Sequence, residues 1–348
     1  MSCPNSDCGL FGRRGQRNIL LHSWQPLRRG RRRRYLCTTC GKTFSRTQGT
    51  PYFRLQHGRR RFDEVVELRM EGASIAAIAR IKRLSWNTVA RWLAKAAVRA
   101  TRFNDQRIRG FELVELQADE ICTFARGKDH QVWIYTTIEV SSRLWPATRV
   151  GRRSRKSTLA VIRELARRGL PGATPLIATD GYRYYKGVIR KVFDGEAVYG
   201  QVIKTRREDR VVKVERIPVN CTRRELDARL AWSEDSIALN TSFIERLNLT
   251  VRQGLAYLAR RSPCHARSCP HLDAQLGLFQ CFYNFCRPHS ALRFGREMRT
   301  PAQQAGLASH RLTWREIFAE VDLGTDSSRL LIGPWRAPRL GPQDRMAA

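Results

Sequence analysis

Acidic side chains are scarce in this chain. Its 31 Asp and Glu stand against 64 Lys and Arg, leaving a formal net charge of +33 and an isoelectric point near 11.1. So large an excess of one sign disfavours basic partners and selects a polyanion, nucleic acid first, bound with salt-dependent affinity through counterion release. Long apolar runs are missing as well. No stretch approaches the roughly 18 consecutive apolar residues that a membrane span needs. The opening Met1-Ser2-Cys3-Pro4-Asn5-Ser6 also lacks the apolar segment of a secretion signal. The expectation is a cytoplasmic, nucleoid-associated protein with no membrane partner. Internal repeats and low-complexity tracts are absent, and only residues 335–348, rich in Pro, Arg and Gly, read as a disordered tail.

Core-forming material, by contrast, is plentiful. A hydrophobic content of 42%, with 8 Trp and 14 Phe, suits an enzyme with a buried interior better than a ribosome-like structural protein. The 348 residues allow about two or three domains. Ten cysteines in a reducing compartment argue for metal ligands and buried thiols rather than disulfides.

Within residues 1–50, Cys3-Pro-Asn-Ser-Asp-Cys8 and Cys37-Thr-Thr-Cys40-Gly-Lys-Thr-Phe44 flank a loop loaded with arginine from Arg28 to Arg34. Two cysteine knuckles of this kind form the pattern of a zinc ribbon, with Cys3, Cys8, Cys37 and Cys40 as ligands of one structural Zn2+. The bland alternative is a set of free buried thiols. Residues 58–100 read as three short helices with the logic of a helix-turn-helix: Phe62, Val65 and Val66 on the first, Ser74 capping a second with Ile75 and Ile78, and Ser85 capping a third. On the third, Val89, Trp92, Leu93 and Ala96 make the buried stripe. Asn87, Arg91 and Lys95 are then the candidate DNA-contacting residues, unless the helices serve only for packing. A polar stretch, Thr101 to Gly110, reads as a linker.

From residue 111 to 310 the pattern becomes α/β. Strands are expected over 114–123, 131–140, 143–150 and 174–179, helices over 154–168 and 182–192, and a long helix from about Ile237 to Arg261. Strand-like 197–203 and 211–214 are harder to assign. Three antiparallel strands, a helix and a parallel strand fit a ribonuclease H-like mixed sheet. Asp119 lies along the first strand and Asp180 leaves a parallel one. Glu245 sits on the long helix beside the apolar stripe of Ile237, Ile244, Val251, Leu255 and Leu258, sharing its face with Thr241, Asn248 and Arg252. Hard carboxylate ligands suit Mg2+ or Mn2+, and such ions support in-line displacement at phosphorus. Glu120 is a rival ligand, although strand alternation sends it to the face opposite Asp119. An ordinary surface pairing of Glu245 with Arg252 is the bland reading of the helix.

Four blocks carry a family resemblance: Cys37-Thr-Thr-Cys40-Gly-Lys-Thr-Phe44, Thr179-Asp180-Gly181-Tyr182, Asn240-Thr-Ser-Phe-Ile-Glu245-Arg-Leu-Asn248-Leu-Thr-Val-Arg252 and Arg287-Pro288-His289-Ser290-Ala291-Leu292. With them the chain, from residue 3 to about 307, resembles the DDE transposases of bacterial insertion sequences, particularly the IS-one type. The resemblance implies a zinc ribbon and helix-turn-helix ahead of a ribonuclease H-like domain, and a triad of Asp119, Asp180 and Glu245 working with Mg2+ to cut and join DNA ends. It also implies terminal-repeat and target DNA as partners and at least a homodimer; Asn248 and Arg252, on the face of Glu245, are the candidate DNA-contacting residues of the helix. The alternatives are a DNA-binding regulator derived from such an enzyme, or a plain ribonuclease H-like nuclease. Cys264, His265, Cys269, His271, Cys281, Cys286 and His289 could form a second zinc site, with a core thiol at Cys281 and a turn-ordering His289 as the alternative. Residues 311–348 read as a partly disordered extension.

Overall fold

The computed structural model describes residues 1–26, 30–127, 129–208, 210–259 and 266–319. The first 50 residues form a three-stranded antiparallel sheet of β1 (Ile19–Pro26), β2 (Arg31–Cys37) and β3 (Thr43–Ser45). Its interior consists of Cys3, Cys8, Tyr35, Cys37 and Phe44, far too little apolar surface to hold a fold by itself. Three helices follow: α1 (Arg59–Met70), α2 (Ile75–Lys82) and α3 (Trp86–Arg107). Ser74 Oγ accepts from Ala77 N–H and Ser85 Oγ from Thr88 N–H, so both expected caps are made. Arg83, at φ 48°, turns the chain between α2 and α3. The stripe of Val89, Trp92, Leu93 and Ala96 is buried as its spacing requires.

The main sheet has six strands: β4 (Glu115–Phe124), β5 (Gln131–Glu139), β6 (Thr148–Gly151), β7 (Leu176–Thr179), β8 (Val198–Arg207) and β9 (Arg210–Pro218). They lie in the order β6-β5-β4-β7-β8-β9, with β4–β7 and β7–β8 parallel and the other pairs antiparallel. Helix α4 (Arg155–Arg168) packs on β5, β6 and α5 (Tyr184–Val192), and α6 (Arg223–Ala231) on β7 and β8. Helices α7 (Ser242–Gly254) and α8 (Cys269–Cys281) pack on β4 to β6. Short helices α9 (Pro301–Gln304) and α10 (Trp314–Ala319) complete the described chain. Among the described residues no helix is long and apolar enough to cross a membrane.

Four expectations need correction. The stretch expected as a linker, Thr101 to Gly110, is helical to Arg107, because Ala97, Ala100 and Phe103 carry the apolar stripe onward against α8. Gly277 makes the close approach possible, since a Cβ there would stand 2.4 Å from Thr101 Oγ1, and Asn104 Nδ2 donates to Gly277 O at 2.8 Å. The third strand begins at Thr148 rather than 143, after Arg143 takes a left-handed φ of 59° and Pro146 interrupts the ladder. The long helix runs only from Ser242 to Gly254, and Ile237 is fully exposed. Upstream, Asn240 Oδ1 accepts from Ser242 N–H at 3.0 Å, so a side chain competes with the helical ladder there. Finally, α6 had not been foreseen. It carries only Leu226 and Leu230 as buried residues, and Thr222 with Glu225 closes a capping box at its start. The tail expected over 335–348, like Cys264, His265 and Arg261, lies outside the described residues.

Candidate metal centres

The parallel pairing of β4 with β7 ends at Ala118 opposite Thr179. Beyond that point β4 overhangs its neighbour, and Asp180 turns into the vacated slot, where its Oδ1 accepts from Tyr182 N–H at 3.0 Å. One carboxylate oxygen from each of Asp119, Glu120 and Asp180 lies within 4.8 Å of the others. Alternation does send Asp119 and Glu120 to opposite faces of β4. With β7 stopping short, however, both side chains reach the same open position at the strand end. Sequence periodicity could not reveal this, because it depends on the register that sets the end of β7 opposite Ala118.

Each acid is differently supported. Asp119 Oδ2 accepts from Asn248 Nδ2 at 2.8 Å, and Asn248 Oδ1 accepts from Thr136 Oγ1 at 2.6 Å, which fixes the orientation of the amide. Burial, with the charges of Asp180 and Glu245 nearby, pushes Asp119 up to about 6. Glu120 is paired through Oε2 with Arg153 at 3.2 Å, and Arg153 itself lies over the rings of Trp133 and Tyr182. Burial, reinforced by Asp180, nevertheless pushes Glu120 up to about 7. Its other oxygen, Oε1, is buried and makes no close hydrogen bond, and the buried Tyr185 hydroxyl, likewise without a close partner, faces the same carboxylate. A buried carboxylate oxygen without a close hydrogen bond, beside two more carboxylates, fits a hard divalent cation such as Mg2+ or Mn2+, for which these three residues could supply the protein ligands.

Glu245 is placed differently from the expectation. In the first turn of α7 it is half-exposed, pairs with Lys204 of β8 and accepts from Thr241 Oγ1 at 2.7 Å. Its charge is felt at Asp119, but its carboxylate is not gathered with the other acids. Of the expected trio, therefore, Asp119 and Asp180 come together and Glu120 takes the third place. Asn248, expected to contact DNA, is buried with its amide committed to Asp119 and Thr136. Arg252 lies half-buried on the same helix.

The four N-terminal cysteines converge as the knuckle pattern suggests. Cys3 and Cys40 Sγ are 3.7 Å apart and Cys8 and Cys37 Sγ 3.8 Å, and all four sulfurs fall within 4.8 Å of one another. A tetrahedral ion with Zn–S bonds of about 2.3 Å has sulfurs about 3.8 Å apart, the spacing of these two pairs, so the set fits Zn2+. Gly41, at φ 68°, lets its N–H reach back to Cys37 O at 2.8 Å and closes the second knuckle. Burial pushes the Cys3 thiol up to about 12, whereas at Cys37 burial is outweighed by the backbone N–H groups of Cys40 and Thr39, which lower it to about 6, so Cys37 is the thiol of the set that ionises most readily. Elsewhere, Cys281 and Cys286 are buried, Cys269 is exposed, and the His289 ring packs on Tyr283. Among the described residues the metal-ligating side chains gather only in the two groups above.

Basic surface adjoins the cysteine unit. A groove of about 510 Å³ between β2 and the start of α1 is lined by Arg32, Arg33, Arg46 and Arg59 together with Tyr35 and His57. Asn87, Arg91 and Lys95 are all exposed along one face of α3, and Lys95 Nζ donates to Phe53 O at 3.0 Å near this groove.

The raised acids give a pH signature. Carboxylates held at about 6 and 7 in the metal-free protein contribute stability that is present below their unfolded values and lost as pH rises through that window. A bound cation requires them ionised and offsets the loss. The increase in Tm produced by Mg2+ or Mn2+ should therefore be near zero at about pH 5 and reach its full size by about pH 8. A metal-induced shift of equal size at both pH values would rule this arrangement out. Compared with protein-family models and with curated proteins, the chain matches none of either.

Proposed function

We propose that the protein is a metal-dependent enzyme that cleaves phosphodiester bonds in nucleic acid, built on a ribonuclease H-like sheet. The observation that carries this reading is the convergence of Asp119, Glu120 and Asp180, with an orphaned oxygen on Glu120, in a chain of net charge +33. Support comes from the strand order, in which three antiparallel strands are followed by two parallel ones, with the acids at the β4–β7 junction. A regulator that only bound DNA would have no use for buried carboxylates that oppose one another's ionisation.

Each group then has a task. Asp119, Glu120 and Asp180 would hold a divalent cation, which would supply Lewis acidity at a phosphate oxygen. Asn248 holds Asp119 in one orientation, and Arg153 partly neutralises Glu120 while leaving its second oxygen open. The arginine-lined groove and the exposed face of α3 bind the nucleic-acid backbone, the cysteine unit acting as a zinc ribbon and the helices as a helix-turn-helix.

A finer reading is strand transfer, as in a DDE transposase with terminal-repeat DNA as substrate. It is favoured by the motif blocks around Asp180 and Glu245, and by Glu245 lying near enough for its charge to raise Asp119. On that reading Lys204 releases Glu245 to the metal site when DNA phosphates engage the lysine.

Purified protein should be incubated with Mg2+ or Mn2+, labelled DNA flanking its own coding sequence, and a target plasmid. Nicks that disappear with chelator are expected, and joined products in addition would establish strand transfer. No cleavage of duplex, single-stranded or RNA–DNA hybrid substrates with either metal would overturn the proposal.

A further inference from the structure

Arg153 is fixed at both its backbone and its guanidinium, although its side chain is 39% exposed. It stands between β6 and α4, and one side chain pins the backbone on either side of it. The hydroxyl of Tyr135, a fully buried residue of β5, donates to Arg152 O at 3.2 Å and accepts from Ser154 N–H at 3.0 Å. The guanidinium lies between two aromatic rings, 4.4 Å from the centroid of Trp133 and 4.2 Å from that of Tyr182. Rings on both sides leave the edge of the planar fork for hydrogen bonds, and all five N–H donors lie in that edge.

A counter-ion that serves only to neutralise a buried acid is itself buried. Arg168 shows that arrangement in this chain: its side chain is 5% exposed, and its donors are spent on Glu164, Asp105 and the carbonyls of Asn104 and Ile108. Arg153 differs. It gives one hydrogen bond among the described residues, from Nη2 to Glu120 Oε2 at 3.2 Å, to a carboxylate whose own exposure is 1%. Its neighbours Arg152, Arg155 and Lys156 are exposed and pair with no acid among the described residues, so a polyanion approaching on this side meets positive charge first.

We infer that Arg153 is a substrate-binding group of the acidic cluster, taking a non-bridging oxygen of the phosphate to be cleaved, side by side with a cation held by the acids. This rests on the metal-dependent reading proposed above. Glu120 sets the spacing. Its Oε2 meets the guanidinium and its Oε1 is the oxygen left for a cation, while a phosphate has nearly the same oxygen-to-oxygen reach as a carboxylate. A phosphate lying alongside Glu120 therefore meets the same cation and the same guanidinium, whose fork matches two oxygens at once. Arg153 forms no covalent bond; it orients the phosphate and offsets the charge that develops as the bond breaks.

The test compares the full-length parent with Arg153→Gln and Arg153→Lys, with Mg2+ or Mn2+ raised to saturation. Arg153→Gln should lower kcat about a hundredfold and change KM for nucleic acid less than about threefold, since most of the affinity comes from the N-terminal arginines. Arg153→Lys, which keeps the charge but not the fork, should fall between the two. A labelled tetranucleotide supplies a readout without turnover. With Ca2+ the parent should bind it at least about tenfold more tightly than with chelator, and Arg153→Gln should lose that gain while keeping the rise in Tm that the cation produces. An Arg153→Gln variant that cleaves as fast as the parent would overturn the inference. So would one that recovers when more metal is added, or one that loses the cation-induced rise in Tm, since Arg153 would then be only a counter-ion of Glu120. A parent that cleaves nothing and binds the tetranucleotide no better with a cation overturns the metal-dependent reading itself, and the inference falls with it.

Discussion

Asp180→Asn is expected to reduce metal-dependent phosphodiester cleavage by about a thousandfold or more, equivalent to roughly 4 kcal/mol of transition-state stabilisation. The substitution is nearly isosteric. Its Oδ1 can still accept from Tyr182 N–H, so the turn after β7 should survive. What disappears is a negative charge beside Asp119 and Glu120, and with it one of three ligands. The same loss relieves the repulsion that helps hold those two acids at about 6 and 7. The variant should therefore be at least as thermally stable as the parent without metal, and should lose the metal-induced rise in Tm. A variant that is inactive because it is unfolded would lack that stability. Glu120→Gln and Glu245→Gln then divide the site. With Glu120 as third ligand, its loss should approach that of Asp180→Asn, whereas Glu245→Gln should cost about tenfold or less, as a partly exposed group acting through its field. The opposite ranking would show that Lys204 yields Glu245 to the centre and that Glu120 is a structural partner of Arg153.

That division also marks how far the sequence could be read. Asp119 and Asp180 were legible because strand periodicity and the Ala-Thr-Asp-Gly-Tyr turn placed them on adjacent strands, and the β4–β7 register brings them together. Glu120 was discounted on alternation, a rule that holds inside a sheet. It fails where the neighbouring strand stops; the end of β7 at Thr179 was expected, but the register that sets Ala118 opposite Thr179 joins residues 61 positions apart and no local pattern announces it. Glu245 looked like a ligand on helical geometry. Its pairing with Lys204 joins residues 41 positions apart, beyond the reach of periodicity. Asn248 was correctly placed on the face of Glu245, yet its amide is spent on Asp119 and Thr136 rather than left for DNA. The cap residues Ser74 and Ser85 could be read directly, since capping is a local contact. The far end of α3 could not, because the surface that keeps Thr101 to Arg107 helical belongs to α8, about 170 residues downstream.

On the proposed function, charge distribution ties the cysteine cluster and the acidic cluster to one polyanionic substrate. Most arginines of the β2 hairpin and of the groove beside α1 lie far in sequence from any acid, whereas the acids that matter are enclosed near β4 and β7. A polyanion is thus attracted over the surface but meets negative charge at the cluster itself. Carboxylates alone would repel the phosphate they are meant to act on. Metal binding inverts the sign of that position, so substrate engagement and catalytic competence become one event. Binding without metal should accordingly be governed by the N-terminal arginines.

The second large effect follows from how little else holds that N-terminal unit together. Replacing Cys37 and Cys40 by serine, or removing zinc with a strong chelator, should unfold residues 1 to about 50 while the six-stranded sheet stays intact. Among its described residues the buried apolar cluster of the unit is Tyr35, Phe44 and the cysteines Cys3, Cys8 and Cys37, and the two aromatic side chains contribute roughly 1.5–3 kcal/mol each. Ordering the backbone costs on the order of 1 kcal/mol or more per residue, so burial alone falls far short. Structural zinc supplies an apparent 10–16 kcal/mol in comparable small modules, enough to decide between folded and unfolded. The core of α1 to α10 and the sheet is a separate cluster and does not depend on the ion. Limited proteolysis should therefore strip the metal-free chain up to about Tyr52 and leave a resistant remainder, with far-UV dichroism mostly retained. Since Arg32, Arg33 and Arg46 line the groove from the cysteine-unit side, nucleic-acid affinity should fall about tenfold or more in the same samples. Unchanged zinc content in the double serine variant, or an N-terminal unit equally resistant with and without chelator, would refute the structural role of the ion.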